Sequence, residues 1–209
     1  MIMISVMVKL MKLSPRTPGK LCQFTEKSPT FKRKMGALQM FLMVLLMGKL
    51  LLFDFSASED WSGWEIQNDR VMGGVSSSSL QKTEQGHALF AGSVSLENNG
   101  GFASLQYHFP SKNMEGYQTA ILTLKGDGKR YQFRIKENLS DRASYIYTFT
   151  TSGNWQTLEI PLREMRPVFR GKKLGLPNFS ADSIQELRFL IGNKKEEDFR
   201  LEIKKIELK

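Results

Sequence analysis

Histidine, cysteine and paired acids are the side chains on which most enzymes and metal sites depend, and this chain has few of the first two. It contains two histidines, His87 and His108, and one cysteine, Cys22. The histidines are widely separated, and no cysteine follows residue 22 to complete a metal site with them. The Gly-x-Ser-x-Gly motif of a nucleophile elbow is also absent from the sequence. We therefore predict no catalytic residues, no metal and no cofactor. Carboxylate pairs of the glycosidase type stay open, because their separation is a three-dimensional property.

A glycine pair, Gly73 and Gly74, follows Met72 inside an otherwise strand-like stretch. Adjacent glycines there cost backbone entropy, so they indicate a bulge, a tight corner or a site that a ligand or partner approaches closely. The corner is the simpler interpretation. A phosphate-binding loop is not favoured, because neither a helix nor a Lys-Ser or Lys-Thr pair follows.

A second glycine pair follows two asparagines, in the order Asn98, Asn99, Gly100 and Gly101. Asn-Gly between two alternating runs predicts a β-hairpin with a type I′ turn, in which both central residues have positive φ. The functional alternative is that Asn98 and Asn99 present their amides at a loop edge, where they suit sugar hydroxyls or a peptide backbone.

Three charged residues complete the candidate binding site. Asp69 flanks the first glycine pair, and we expect its carboxylate to brace that corner by accepting backbone N–H bonds. Arg134 lies on the polar face of a predicted strand, where it would meet a carboxylate of a partner or of Asp69. Arg170 precedes Gly171 in a predicted loop and is a candidate exposed contact. The candidate binding residues are thus Asp69, Met72, Gly73, Gly74, Asn98, Asn99, Gly100, Gly101, Arg134 and Arg170.

These residues must be positioned by β-strands, because period-two alternation dominates the chain after residue 49. Large apolar or aromatic residues recur at every second position at 131–135, 145–149 and 187–191. About ten short strands separated by Gly, Asn, Asp and Pro clusters are typical of a sandwich or barrel. The phase slips at Lys204-Lys205, which predicts a β-bulge, and one short helical turn is expected at 58–64. The fold class that we predict is all-β, an antiparallel two-sheet jelly-roll sandwich.

The net charge of +9 is concentrated at the start of the chain. Residues 1–50 hold nine Lys or Arg and one acid, whereas residues 51–209 hold 21 bases and 20 acids. A nucleic-acid-binding surface requires basic charge on the folded domain. We therefore predict no nucleic-acid partner.

The first 46 residues also hold seven of the eleven methionines, and we predict a non-globular tail at 1–46 before a β-sandwich domain at 47–209. Three interpretations of the tail remain. In the first, the start codon is assigned too far upstream and translation begins at Met47. In the second, Lys32-Arg33-Lys34 and the apolar run from Met40 form a signal sequence or an anchor. In the third, the segment is an acid-poor transit peptide. The run is too short for a stable membrane span. A chain that starts near Met47 would be cytoplasmic, and a longer one mitochondrial or membrane-associated.

Several strings in the domain together resemble the complex I intermediate-associated protein 30 domain family. The most specific are Val-Met-Gly-Gly-Val-Ser at 71–76 and Asn-Asn-Gly-Gly-Phe at 98–102, supported by Pro-Val-Phe-Arg-Gly at 167–171. The resemblance covers roughly Leu50 to Leu208. It implies a galactose-binding-domain-like jelly roll, and it implies the role of family members in mitochondria, which is to chaperone membrane-arm assembly intermediates of NADH:ubiquinone oxidoreductase. It carries over no catalytic set.

Two functions of different kinds follow. The first is a non-catalytic protein-binding module that resembles a respiratory complex I assembly chaperone, with an assembly intermediate as its partner. The alternative is a carbohydrate-binding module of the same architecture, which would place exposed rings beside polar groups on a sheet face. Its candidate residues are Tyr145, Tyr147, Trp155, Arg134 and Asn138. An enzyme ranks third and would be favoured by a His-carboxylate or carboxylate pair in a cleft.

Overall fold

The computed structural model describes residues 48–209 and shows a β-rich chain. The tail predicted at 1–46, Cys22 and the apolar run from Met40 lie outside the described residues. Within the described part there are thirteen strands, three 3₁₀ turns and no α-helix. The 3₁₀ turns are Asp69–Met72, Glu97–Asn99 and Leu162–Glu164. The strands are β1 (Leu50–Asp54), β2 (Trp64–Ile66), β3 (Ser77–Lys82), β4 (Ala88–Val94), β5 (Ala103–Asn113), β6 (Thr119–Lys125), β7 (Arg130–Lys136), β8 (Ser144–Thr150), β9 (Trp155–Pro161), β10 (Arg166–Phe169), β11 (Lys172–Lys173), β12 (Ser183–Ile191) and β13 (Glu197–Leu208).

The strands form two antiparallel sheets that pack as a jelly-roll sandwich, as the sequence predicts. The six-stranded sheet has the order β3-β4-β13-β6-β9, with β1 also paired to β13. The seven-stranded sheet has the order β11-β10-β8-β7-β12-β5-β2. Sequence neighbours such as β4 and β5 therefore lie in different sheets, and connections between the sheets shape the rims of the sandwich.

The hydrophobic core lies between the inner faces of the two sheets. The residues that form it are those that the period-two alternation of the sequence predicts to be buried. Tyr131, Phe133 and Ile135 of β7 are buried, and so are the inward residues of β12 and the first half of β13. The predicted bulge is confirmed, because the register of β13 against β6 shifts between Ile203 and Lys205. The shift returns the later residues of β13 to the core after two consecutive lysines.

Two local predictions are wrong. No helix forms at 58–64; the segment turns there, and Trp64 enters β2, where it stacks on Tyr107 with ring centroids 4.9 Å apart. The Asn99-Gly100 pair does not close a hairpin, because β4 and β5 belong to different sheets. Positive φ falls on Asn98 and Asn99 instead, within a 3₁₀ turn. A two-residue hairpin turn with positive φ at both positions occurs between β10 and β11, at Arg170 and Gly171.

Among residues 48–209, no helix has the length and apolar character that a bilayer crossing requires.

Candidate functional site

A groove of about 780 Å³ runs along the outer face of the seven-stranded sheet. Its floor is formed by the side chains of β7, β8, β10 and β12 that alternate away from the core, such as Gln132, Thr148 and Leu190. Met72 and residues 99–102 form one wall, and the β10–β11 turn forms another part of the rim. The groove volume falls in the range of about 300–1,000 Å³ that is usual for ligand sites.

The groove is strongly cationic. Eight of the described residues that line it are basic, and none of them is acidic. The basic residues are Arg130, Arg134, Lys136, Arg142, Arg166, Arg170, Arg188 and Lys194. The nearly balanced charge of the domain conceals this segregation, because all 20 acids of residues 51–209 lie outside the lining of the groove.

Three of the arginines stand in one row across neighbouring strands. Arg188 of β12 is the direct cross-strand partner of Arg134 of β7, and Arg134 is in turn the partner of Ile146 of β8. Ile146 is the partner of Arg166 of β10. Directly opposed side chains have Cβ atoms about 5 Å apart, and like charges in that position destabilise a sheet. The fold therefore retains an arrangement that is unfavourable for the free protein.

The side-chain hydrogen bonds of Arg134 to the described residues go to a neutral group. Its Nε and Nη2 atoms donate to Oε1 of Gln132 at 3.0 and 2.6 Å. Arg188 is better compensated, since its Nε donates to the buried Glu186 at 3.0 Å and its Nη1 donates to Gln67 at 2.8 Å. Burial, followed by the positive charge of Arg188, lowers the pKa of Arg134 to about 10, although Glu186 acts in the opposite direction. The predicted contact between Arg134 and Asp69 is wrong, because the Asp69 oxygens are occupied by other donors.

We expect Arg134→Met to raise the free energy of unfolding by up to about 1 kcal/mol, because it removes one of two like charges paired across strands. Methionine also fills irregular space well. Thermal denaturation at low ionic strength measures the change. Arg163→Met changes an exposed arginine outside the groove and serves as the control, with an effect below about 0.5 kcal/mol. A lower melting temperature for Arg134→Met would show that the contacts of Arg134 outweigh the repulsion.

The wall of the groove formed by residues 99–102 is held by Asp69, whose side chain is fully buried. Oδ1 accepts the backbone N–H of Ser76 at 3.0 Å, and Oδ2 accepts the Ser76 hydroxyl. Oδ2 also accepts the backbone N–H groups of Gly101 at 2.7 Å and Phe102 at 3.2 Å. One carboxylate thus joins the two glycine-rich segments, and the predicted bracing of the first corner by Asp69 is confirmed. We call Asp69, Gly74, Ser76 and residues 100–102 the Asp69 junction.

The charge of Asp69 is stabilised by these donors. Burial acts to raise the pKa of Asp69, but the hydrogen bonds from the Ser76 hydroxyl and from the backbone N–H groups of Gly101, Phe102 and Ser76 outweigh it and hold the pKa below its usual value. A carboxylate that accepts several N–H bonds is favoured in its ionised form. Asp69 is therefore placed as a buried, charged brace whose two carboxylate oxygens both accept hydrogen bonds from the two glycine-rich segments.

Glycine is required in the Asp69 junction for close approach. A Cβ on Gly74 would lie 2.5 Å from Cγ of Asp69 and 2.8 Å from Cα of Gly100. A Cβ on Gly100 would lie 2.7 Å from Oδ2 of Asp69. Gly73 is different, since its surroundings are open but its φ is +92°.

We expect Gly73→Val to lower the free energy of unfolding by more than about 1 kcal/mol, because a β-branched side chain is strained at positive φ. Chemical denaturation measures the change. Gly175→Val is the matched control, since Gly175 has open space around it and lies outside the positive-φ region. An unchanged unfolding free energy for Gly73→Val would show that this corner is not strained.

Large apolar side chains are exposed at the corner beside the groove. The exposed fractions of Val71 and Met72 are 67% and 60%, and Val75 and Leu96 are also exposed. Clusters of exposed apolar residues on a rigid base are typical of interaction surfaces. Met72 belongs both to this exposed apolar cluster and to the groove, which it also lines.

The structure brings six of the ten candidate binding residues together in the groove: Met72, Asn99, Gly100, Gly101, Arg134 and Arg170. Asp69 and Gly74 lie behind the wall in the Asp69 junction, whereas Gly73 and Asn98 are exposed beside it. The other six cations of the groove were not predicted from the sequence. The signal for some of them was present, because Arg130 and Lys136 occupy outward positions of β7 and Arg188 an outward position of β12.

The rings proposed for sugar binding are not gathered on the groove. Tyr145 and Tyr147 pack against the core, and Tyr145 meets Phe179 edge to face at 5.1 Å. Trp155 lies on β9 of the other sheet, against His87. Asn138 is in the turn after β7, where its backbone N–H and side-chain amide donate to Asp141.

A His-carboxylate pair is present, but outside the groove. Nε2 of His108 lies 3.1 Å from Oε2 of Glu186. The other oxygen of Glu186 is engaged by Arg188. In the described part of the chain, no group of three or more His, Cys, Asp or Glu side chains is placed to hold a metal ion.

The sequence of this chain is similar to those of known proteins. A family model described as complex I intermediate-associated protein 30 matches residues 53–203. An uncharacterized protein of Schizosaccharomyces pombe is 28% identical over 181 residues, which cover 75% of this chain and 83% of that protein.

Solved structures share the fold at low sequence identity. A family 11 carbohydrate-binding module from Clostridium thermocellum, in complex with a β-1,3-1,4-mixed-linked tetrasaccharide, superposes with a TM-score of 0.60 and 20% identity over 77% of this chain and 95% of that chain. An agarase superposes with a TM-score of 0.53 and 14% identity over 78% of this chain and 24% of that chain. At these identities the likeness shows the architecture alone.

Proposed function

The chain belongs to the complex I intermediate-associated protein 30 family, and from that membership we propose that it is a non-catalytic protein-binding module of the assembly-factor kind. The family description refers to a protein that associates with intermediates of complex I. The partner that we propose is accordingly a protein, with a respiratory-complex assembly intermediate as the first candidate.

One observation supports this proposal most: exposed apolar side chains stand beside a cationic groove, on two glycine-rich segments that the hydrogen bonds of Asp69 join. Val71 and Met72 lie in the same 3₁₀ turn as Asp69, separated from it by Arg70. A rigid surface loses little conformational entropy when a partner binds. Apolar side chains next to a charged rim also match the usual composition of protein–protein interfaces.

Affinity capture from the native host tests the proposal. The tagged full chain, purified in mild detergent, is expected to retain membrane-arm subunits of complex I. Replacing Val71 and Met72 with serine is expected to reduce that capture. Leu51→Ser is the matched control, since Leu51 is also exposed but lies on β1 of the other sheet. If complex I subunits do not exceed background with the unmodified chain, the respiratory assignment is wrong.

A carbohydrate-binding module is the second candidate. Its support is architectural, since a protein of the same fold was solved with a tetrasaccharide. The aromatic rings that would stack on sugars lie in the core or on the other sheet, so this candidate ranks lower. A glycan array that includes neutral and uronic-acid oligosaccharides tests it, and absence of binding at millimolar sugar would eliminate it.

A further inference from the structure

The groove carries an excess of positive charge that the free protein offsets only in part, because Glu186 beneath the sheet surface pairs with Arg188. Its eight cations have no carboxylate among the described lining residues, and Arg134 and Arg188 are directly opposed. A concave surface with charge of one sign concentrates oppositely charged ligands and accelerates their association. The arrangement therefore indicates an anionic ligand.

The cations are of the type that recognises planar or multiply charged anions. Six of the eight are arginines, whose guanidinium group donates two parallel hydrogen bonds to a carboxylate or phosphate. Arg170 is held over the groove in an uncommon backbone conformation, with a φ of 48°. This conformation belongs to the β10–β11 hairpin turn, and it places Arg170 on the rim of the groove.

The remaining lining favours a peptide over a nucleic acid, a sugar or a bare phosphate. Bases and sugars are usually held by free aromatic faces, but the guanidiniums of Arg142 and Arg170 lie over the Phe169 ring at 4.8 and 5.4 Å. Ile146 and Leu190 separate the cations on the groove floor with apolar surface. A phosphate group would leave that surface unused, whereas a peptide carries acidic and apolar side chains together.

The geometry points to an acidic peptide segment of the protein partner, with Asp or Glu alternating with apolar residues, as the ligand of the groove. This inference rests on the proposed protein-binding function and specifies the chemistry of the partner surface. Arg134 and Arg166 bind its carboxylates, and the apolar floor between them contacts its other side chains.

Fluorescence anisotropy with a short labelled peptide, in which Glu alternates with Leu, tests the inference on the full chain. We expect binding that weakens as salt screens the charges, and much weaker binding of the same peptide with Gln in place of Glu. The double variant Arg134→Gln, Arg166→Gln is expected to reduce affinity at least tenfold, and Arg163→Gln to leave it unchanged. Circular dichroism verifies that both variants are folded.

Three outcomes would overturn the inference: equal binding of the Glu and Gln peptides, unaltered affinity of the double variant, or tighter binding of inorganic polyphosphate or single-stranded RNA than of the Glu peptide. The capture experiment separates this failure from that of the proposed function. If the unmodified chain retains complex I subunits and the double variant retains them equally, the groove assignment fails and the protein-binding function stands. If the unmodified chain retains none, the proposed function itself fails.

Discussion

Asp69→Asn is expected to lower the free energy of unfolding by about 2–4 kcal/mol, because hydrogen bonds to a buried charge contribute about 1.5–3 kcal/mol each and unpaired buried donors add a penalty. The side chain is isosteric, but its NH₂ group replaces an oxygen that accepts N–H donors. If the NH₂ group takes the position of Oδ1, it faces the backbone N–H of Ser76. If it takes the position of Oδ2, it faces the backbone N–H groups of Gly101 and Phe102. Either orientation leaves donors unpaired.

Urea denaturation near neutral pH measures this effect. Asp198→Asn is the matched control, since Asp198 is exposed on β13, and it should change stability by less than about 0.5 kcal/mol. A loss of similar size in both variants would contradict the brace role of Asp69.

The dependence of stability on pH gives a second measure of the same brace. The pKa of Asp69 is lowered in the folded protein, so its stabilising contribution is complete above the unfolded carboxyl pKa of about 4. That contribution is lost as the pH falls through the folded pKa. The unmodified chain should therefore lose stability more steeply below about pH 4 than Asp69→Asn does. Parallel curves would show that Asp69 is not charged in the folded state.

Gly74→Ala is expected to lower the free energy of unfolding by about 2–3 kcal/mol, as overpacking of a closely packed site does. The new methyl group would overlap the Asp69 carboxyl on one side and the Gly100 backbone on the other. The two segments must then separate, and the Asp69 hydrogen bonds lengthen. Differential scanning calorimetry of this variant and of Gly175→Ala, whose site is open, measures the difference.

A double-mutant cycle relates the two predictions. Asp69→Asn and Gly74→Ala disrupt the same junction, so the effect of the combined variant should fall short of the sum of the single effects. Additive effects would mean that Gly74 and Asp69 stabilise the protein independently.

Local sequence pattern accounts for most of the strands and for the core. The inward residues of β7 and β12 were evident from period-two alternation, and the bulge in β13 from a slip in that period. The hairpin prediction at Asn99-Gly100 failed because the local turn preference competes with a tertiary interaction. The Asp69 carboxylate, some thirty residues earlier in the chain, holds the N–H groups of Gly101 and Phe102 and directs the chain to the opposite sheet.

The candidate site was only partly predictable, because it also depends on tertiary arrangement that local sequence pattern does not encode. Alternation placed Arg134 on a polar face, and the glycine pairs indicated close approach. The opposition of Arg134 and Arg188 depends on the order of strands in the sheet, which local pattern does not encode. Net charge was uninformative for the same reason, since it does not record which face each charge occupies.

The position of β13 has a consequence for the synthesis of the domain. It is the last strand in the chain order, yet it lies inside the six-stranded sheet, with β4 and β1 along one side and β6 along the other. Because a ribosome delivers the chain from its N-terminal end, these three strands emerge before the strand that joins them. Until Glu197–Leu208 leaves the exit tunnel, the nascent domain exposes unpaired strand edges, which are prone to pair with other chains.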